Sequence, residues 1–211
     1  MATVGNVKTP TDASQGSERR LTARGRERRE QLIAYATLRF ARDGFHPTSV
    51  SEIVDGVGVG KGVFYWYFAS KDELFIEILR AAQQDLRRTQ LKAIGPTDDP
   101  LEAIEAGIRA GALWMAEHPD LRRLFEFART DETFAKVMRS GQRQLVAQAA
   151  QRLSTAVEHG LIPPRDPEAL AHAILGITNQ LTMVYIDSAQ RRPEELADLV
   201  VSICRNGYAG S

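Results

Sequence analysis

Residues 44–75 read GFHPTSVSEIVDGVGVGKGVFYWYFASKDELF, and this stretch decides the fold. Ser49 and Glu52 stand three residues apart. The serine hydroxyl can accept from the third helical amide while the carboxylate reaches back to the cap amide. A short helix is expected behind them, with Val50, Ile53, Val54 and Val57 on its buried side. Gly56 and Gly58 should end it in a tight turn. A second short helix starts near Gly60 and carries Phe64, Tyr65, Trp66, Tyr67 and Phe68. Ser70 and Glu73 repeat the capping box, with acidic residues in the first turn where the helix dipole favours them. The helix they open places Leu74, Phe75, Ile78, Leu79, Ala82 and Leu86 on one stripe. Upstream, Leu32, Ile33, Ala36 and Phe40 fall at helical spacing from about Arg24 to Asp43, and Gly44 is placed to stop that helix.

Two short helices joined by a glycine turn, behind a packing helix, make a helix-turn-helix plan. A major groove about 12 Å wide admits one helix, whose exposed face can read base edges. The preceding helix crosses the backbone and donates to phosphates. Thr48-Ser49-Val50-Ser51 brings hydroxyls and amides to a helix N-terminus, which suits a phosphate. Lys61 and Lys71 flank the third helix with positive charge, and Tyr65 and Tyr67 add hydroxyl donors on rigid rings. The series Gly56, Gly58, Gly60 and Gly62 also invites a nucleotide-loop reading. That reading fails: no strand precedes it, Asp55 holds the first glycine place, and Gly62 replaces the Ser/Thr.

The rest of the 211 residues continues in helical signals, rich in Ala, Leu, Glu, Arg and Gln. Gly95–Pro100 is a linker, with Asp99 as cap and Pro100 in the first turn of a helix to about Glu117. Further helices are expected from Pro119, from Asp131 to Glu158, from about 166 to 188, and from about 193 to 206 with Gly207 behind it. The fold class is therefore all-α, about nine helices and no sheet. One cysteine, Cys204, and four histidines, none paired as H-x-x-x-H, leave no disulfide and no metal site to expect. No Ser-His-Asp, Cys-His or paired-carboxylate arrangement stands out, so an enzyme is not expected and no cofactor is implied. No unbroken apolar run approaches about 18 residues and no signal-peptide core opens the chain. A cytoplasmic protein without a membrane partner is the expectation. The zero net charge hides an asymmetry: residues 1–71 carry 11 Lys and Arg against 7 Asp and Glu, and the remainder 16 against 20. A basic head on an acidic body points to a polyanion partner for the head. It also hints at cationic or neutral ligands for the body.

The run Gly44-Phe45, Thr48-Ser49-Val50, Ile53, Gly58-Val59, Lys61-Gly62, Phe64 through Phe68, Ser70-Lys71 and Leu74 resembles the TetR family of transcriptional regulators, over roughly residues 26–86. The resemblance implies a helical homodimer that represses transcription by binding double-stranded DNA until a small-molecule effector binds the C-terminal body. By position it implies that Thr48 and Ser49 bind phosphate, and that Gly60, Lys61, Gly62 and Val63 begin the recognition helix. Tyr65 and Tyr67 would touch backbone or bases, Trp66 would face DNA, and Lys71 would meet a phosphate. Phe64 and Phe68 would be core. Three positions differ from the common pattern. Val54 stands where Ala is usual, Gly60 where Ser or Thr opens the helix, and Val63 where Thr follows the Lys-Gly pair.

The expected organisation is a flexible basic tail (1–23), a helix-turn-helix domain (24–86) and a ligand-binding and dimerisation domain (87–211). The arginines at 19–29 read equally well as a solubilising tail or a DNA arm. In the body, Trp114, His118, Phe125, Phe127, Met138, Asn179 and Met183 are the effector-pocket candidates, being large apolar or polar groups inside apolar stretches. In the family, the helices about 166–188 and 193–206 form a dimer bundle, and Ala171, Ala173 and Gly176 would let backbones approach. Two rivals stand beside this reading. One is a DNA-binding regulator without an effector, controlled by a protein. The other is an all-helical enzyme or interaction module. The operator of the leading reading should be a near-palindrome.

Overall fold

The capping residues sit where the pattern puts them. In this computed structural model, which describes residues 22–187 and 192–209, α1 (Ala23–Asp43) is opened by Thr22, whose hydroxyl accepts from the Gly25 amide at 3.1 Å. It stops at Gly44, whose φ of 91° a side chain would resist. Leu32, Ala36 and Phe40, four apart, are its buried face. Both halves of the Ser49–Glu52 capping box are formed at the start of α2 (Val50–Val57). Gly58 then turns left-handed at φ 69°, and α3 (Lys61–Tyr67) follows. Ser70 caps α4 (Lys71–Ile94), accepting from the Glu73 amide at 3.0 Å. Asp99 caps α5 (Pro100–Glu117) through the Leu101 and Glu102 amides.

Four helices complete the body: α6 (Pro119–Thr130), α7 (Ala135–Glu158), α8 (Pro167–Asp187) and α9 (Pro193–Ala209). Among the described residues there are nine helices and no strand. The expected tail lies, except for Thr22 and Ala23, outside the described residues, as do Arg19, Arg20 and the end of the helix read as reaching Ser188.

Two boundaries differ from expectation. The long helix read from Asp131 begins at Ala135, because the Asp131 carboxylate accepts from the Thr133 amide at 2.9 Å and folds a turn before the helix can start. Gly207 lies inside α9 rather than behind it. Its φ is not positive, and its carbonyl accepts from the Arg165 guanidinium at 2.9 Å.

Two apolar cores organise the chain. The first joins α1, α2 and α3 to α4 and α6 through Phe40, Phe45, Phe64, Phe68, Phe75 and Phe125. The second lies among α5, α7, α8 and α9, around Ile104, Val146, Leu153, Ile174 and Val200. Cys204 belongs to it, and burial pushes its thiol up to about 11. Gly56 lets α2 lie directly on α1, since a Cβ there would stand 2.0 Å from the Tyr35 ring.

No break separates head from body, because α4 runs through both and Leu86 is buried within it. α8 is the one described helix long and apolar enough to cross a membrane by length and composition, although no unbroken apolar run foretold it. Ala171, Ile174 and Thr182 tuck inward, yet only 17% of its most apolar window is buried. Met183, Val184 and, on α9, Ile203 are left exposed.

Candidate nucleic-acid interface

α3 sorts its side chains sharply. Phe64 and the following Phe68 are 0% and 1% exposed and anchor it in the first core. The opposite face presents Lys61, Gly62, Val63, Tyr65 and Trp66, with Tyr65 56% and Trp66 51% exposed. Leaving two large aromatic rings in water is unfavourable unless something covers them. Gly60 opens the helix without a side-chain cap, as a residue lacking a hydroxyl must. Gly60 and Gly62 have open space where a Cβ would stand, so nothing on the protein side crowds this face.

α2 contributes its N-terminus. Exposed Ser49 accepts from the Glu52 amide at 3.2 Å, and Glu52 accepts from the Ser49 amide at 2.7 Å. Those bonds pull the Glu52 carboxyl down, with the Ser49 backbone amide the leading cause. The next amides, of Val50 and Ser51, belong to the first turn and have no intrahelical acceptor.

Three residues expected to meet DNA also bond within the protein. Thr48 is 1% exposed, and its hydroxyl donates to the Gly44 carbonyl at 2.7 Å, closing the α1–α2 loop. Tyr67 is half-buried, and its hydroxyl donates to the Gly25 carbonyl at 2.8 Å, tying the end of α3 to the start of α1. The Lys71 ammonium donates to the carbonyls of Phe45, His46 and Thr48 at 2.8, 3.3 and 2.8 Å. It also lies 4.3 Å above the Phe45 ring. Burial lowers its pKa. The Lys71 ammonium therefore has three acceptors within the protein, and all three residues make bonds that tie the reading helices to their neighbours.

The basic start of α1 is partly committed as well. Arg29 pairs with Glu77 and lies 5.2 Å above Phe68, and Arg28 donates to Gln31 and to the Val57 carbonyl. Arg24 is exposed.

The body holds a cavity of about 610 Å³ between α4, α5, α6, α7 and α8. Of the seven residues expected to line it, Phe125, Met138 and Asn179 do. Met183 lines a small neighbouring crevice with Asn179 and Thr182. Trp114 is core: its indole donates to Asp85 at 2.9 Å and stacks on His118 with ring centres 4.3 Å apart. His118 ends α5 beside the Trp114 carbonyl. Phe127 packs on Phe45, Phe75 and Phe134, where head meets body. Arg80, Arg87, Arg129, Lys136 and Arg143 line the cavity, with no Asp or Glu among the lining residues. Arg80, Gln83 and Arg87 recur at helical spacing on α4, which in sequence reads as a solvated face. The overlooked signals were Gly111 and Gly141, helix-interior glycines where an added Cβ would crowd Gln90 and Gln83. No described cluster of His, Cys, Asp and Glu could hold a metal.

Comparison with known proteins agrees with this layout. Residues 32–78 match the model of the bacterial regulatory proteins, tetR family, and residues 97–208 that of the tetracyclin repressor-like C-terminal domain. RutR of Escherichia coli K12, an HTH-type transcriptional regulator, is 28% identical over 153 residues, covering 72% of each chain. YdgC of Bacillus subtilis, also described as an HTH-type regulator, is 26% identical over 190 residues, covering 87% of this chain and 93% of the relative. The crystal structure of AibR in complex with isovaleryl coenzyme A and operator DNA shares the fold at a TM-score of 0.70 and 21% identity. That match covers 83% of this chain and 97% of AibR.

Proposed function

The chain belongs to the TetR family of bacterial transcriptional regulators, and from that premise we propose that it is a homodimeric repressor released from a near-palindromic operator by a small-molecule effector. The observation that carries the reading is the two-sided α3, with Phe64 and Phe68 fully buried and Tyr65 and Trp66 more than half exposed. In this reading the head (24–86) places Lys61, Gly62, Val63, Tyr65 and Trp66 in the major groove. Gly60 lets the helix start approach the backbone closely, and Ser49 donates its hydroxyl to a phosphate beside the free amides of α2. Val63, lacking a donor, packs on a thymine methyl. Thr48, Tyr67 and Lys71 hold these groups in place.

The body (87–211) supplies the dimer and the effector cavity. A second copy would cover the outer face of α8 and α9, where Met183, Val184 and Ile203 are exposed. A two-fold dimer presents two α3 helices, so half-sites one turn of DNA (about 34–36 Å) or a multiple apart are expected. Such a regulator works in the cytoplasm.

Selection of bound duplexes from a random DNA library at fixed salt, with the full chain, tests the proposal. The expected product is an enriched near-palindrome. Binding without sequence enrichment, or no binding at low salt, would overturn it.

A further inference from the structure

We infer that the body cavity binds an amphiphilic anion, with its charged head among Arg80, Arg129, Lys136 and Arg143 and its apolar tail in the adjoining crevice. The inference rests on the effector-binding reading above and names the chemistry of that effector. The chain as a whole has 27 basic and 27 acidic residues, yet the cavity wall takes five basic side chains and no acidic one. Arg87 is tied to the Gln144 side chain. The other four make no hydrogen bond or ion pair with the described residues. All four are exposed at the cavity wall, and around Arg129 the protein is close enough that burial lowers its pKa, with Glu126 opposing. A cation so placed, without a bonded counter-charge, gains most from an anion entering beside it.

The apolar half is continuous with the polar one. A crevice of about 100 Å³ runs between α4, α5, α7 and α8, walled by Ile94, Ile104, Ile108, Val146 and Ile174. It shares Arg87, Gln90, Leu145, Leu175 and Thr178 with the larger cavity. Gln90, at the junction, donates to the Gly107 carbonyl at 3.0 Å, while its Oε1 is buried without a partner. A hydrogen-bond donor at the neck of the ligand would satisfy that acceptor. Gly107 lines the crevice, where an added Cβ would stand in ordinary contact with Ile94 Cδ1 at 3.5 Å and a longer side chain would extend into the space. A cavity of this size suits a small molecule with a mainly apolar body and a few fixed polar contacts.

Titration calorimetry on the full chain at constant ionic strength tests this, using single-chain amphiphiles below their micelle concentrations. Octyl phosphate should bind saturably, one per chain. Inorganic phosphate should bind at least tenfold more weakly, and octyltrimethylammonium not at all. Arg129→Gln with Lys136→Gln should weaken octyl phosphate tenfold or more. Gly107→Leu, which fills the crevice, should weaken octyl phosphate and leave inorganic phosphate unchanged. Octanoate separates two sources of the head: weaker binding than octyl phosphate assigns a phosphate, equal binding a carboxylate, and either upholds the anionic class. Equal or tighter binding of the ammonium amphiphile, an unaffected double variant, or no binding of either anion would overturn the inference. The duplex selection is run without ligand, so a palindrome recovered alongside failed anion binding would sink this inference alone.

Discussion

Replacing Lys71 by Met keeps the aliphatic stem and deletes the ammonium. The structure gives that ammonium three carbonyl acceptors, two at 2.8 Å and one at 3.3 Å, and the face of Phe45. Hydrogen bonds to a charged group contribute about 1.5–3 kcal/mol each when one partner is removed. Phe45 and Thr48 are 5% and 1% exposed, so their carbonyls sit in a region with little access for replacement water. His46 is exposed, and its carbonyl accepts the longest of the three bonds. Two effective losses, partly offset by water reaching the third, put the cost at about 2–4 kcal/mol. For a chain of this length that is a drop in Tm of about 4–16 °C. Urea unfolding and a thermal scan read it directly. A parallel DNA titration against salt separates the two possible roles. A phosphate contact would lower the salt slope by about one and leave stability alone. An internal clamp does the reverse. If Lys71→Met unfolds within 0.5 kcal/mol of the parent and its salt slope falls by about one, the positioning role is wrong.

On the exposed face the signs invert. Lys61→Ala should leave Tm unchanged, weaken duplex binding and flatten the salt slope by about 0.9, as measured by fluorescence anisotropy across a salt series. Tyr65→Ala should weaken the selected duplex more than random DNA, and equal loss on both would remove Tyr65 from sequence reading. Asp85 is held below the usual carboxylate range, first by the Trp114 indole and then by Arg88. A depressed carboxyl stabilises above its unfolded pKa of about 3.9 and loses that contribution as pH falls through the lower folded value. Asp85→Ala, which leaves the buried indole unpaired, should cost about 1–3 kcal/mol in urea unfolding at pH 7. Asp85→Asn, which keeps an acceptor, should cost less and show a flatter stability profile below pH 4. An Ala variant as stable as the parent would show the bond to be idle.

Local chemistry made most of the fold readable. A cap such as Ser49, Ser70 or Asp99 needs only residues within three positions of itself, so a short window contains its whole reason. Asp131 shows where that window misleads. The same carboxylate that could cap a helix bonded the Thr133 amide and made a turn instead. The site divided along the same line. The apolar 3–4 spacing of Phe64 and Phe68 implies that Tyr65 and Trp66 face out, and they do. For Thr48, Tyr67 and Lys71 the deciding partners are backbone carbonyls 4 to 42 residues away. No pattern of side chains records which carbonyls a turn leaves unpaired. The cavity was the least legible part. Periodicity says that Trp114, Phe125 and Phe127 point inward. It does not say which of them meets a void, and only Phe125 does.

The remaining step is how a ligand in the body would be felt by α3. Arg129, Thr133 and Lys136 bracket the turn between α6 and α7, and all three line the cavity. The same turn carries Asp131, 3.5 Å from His46, and Phe134, whose ring centre lies 4.9 Å from that of Phe45. Phe45 packs on Phe75 of α4 at 4.8 Å and sits under the Lys71 ammonium. A close-packed aromatic cluster of this kind shifts as a unit, because its members leave no slack to absorb a displacement. On the proposed effector reading, a displacement of the α6–α7 turn against α4 would be passed to the Phe45–His46 loop, which leads directly into α2. The energetics are within reach of the proposed dimer. Shifting an operator-competent population from 99:1 to 1:99 takes about 5.5 kcal/mol of differential binding. Two ligands per dimer divide that to about 2.7 kcal/mol each, inside the 1–3 kcal/mol typical of coupled sites. One anion held by cations on both α4 and the α6–α7 turn would favour whichever spacing of those elements seats it best. On that proposal, binding energy at the head group would be the source of the displacement, and the apolar tail would add to affinity.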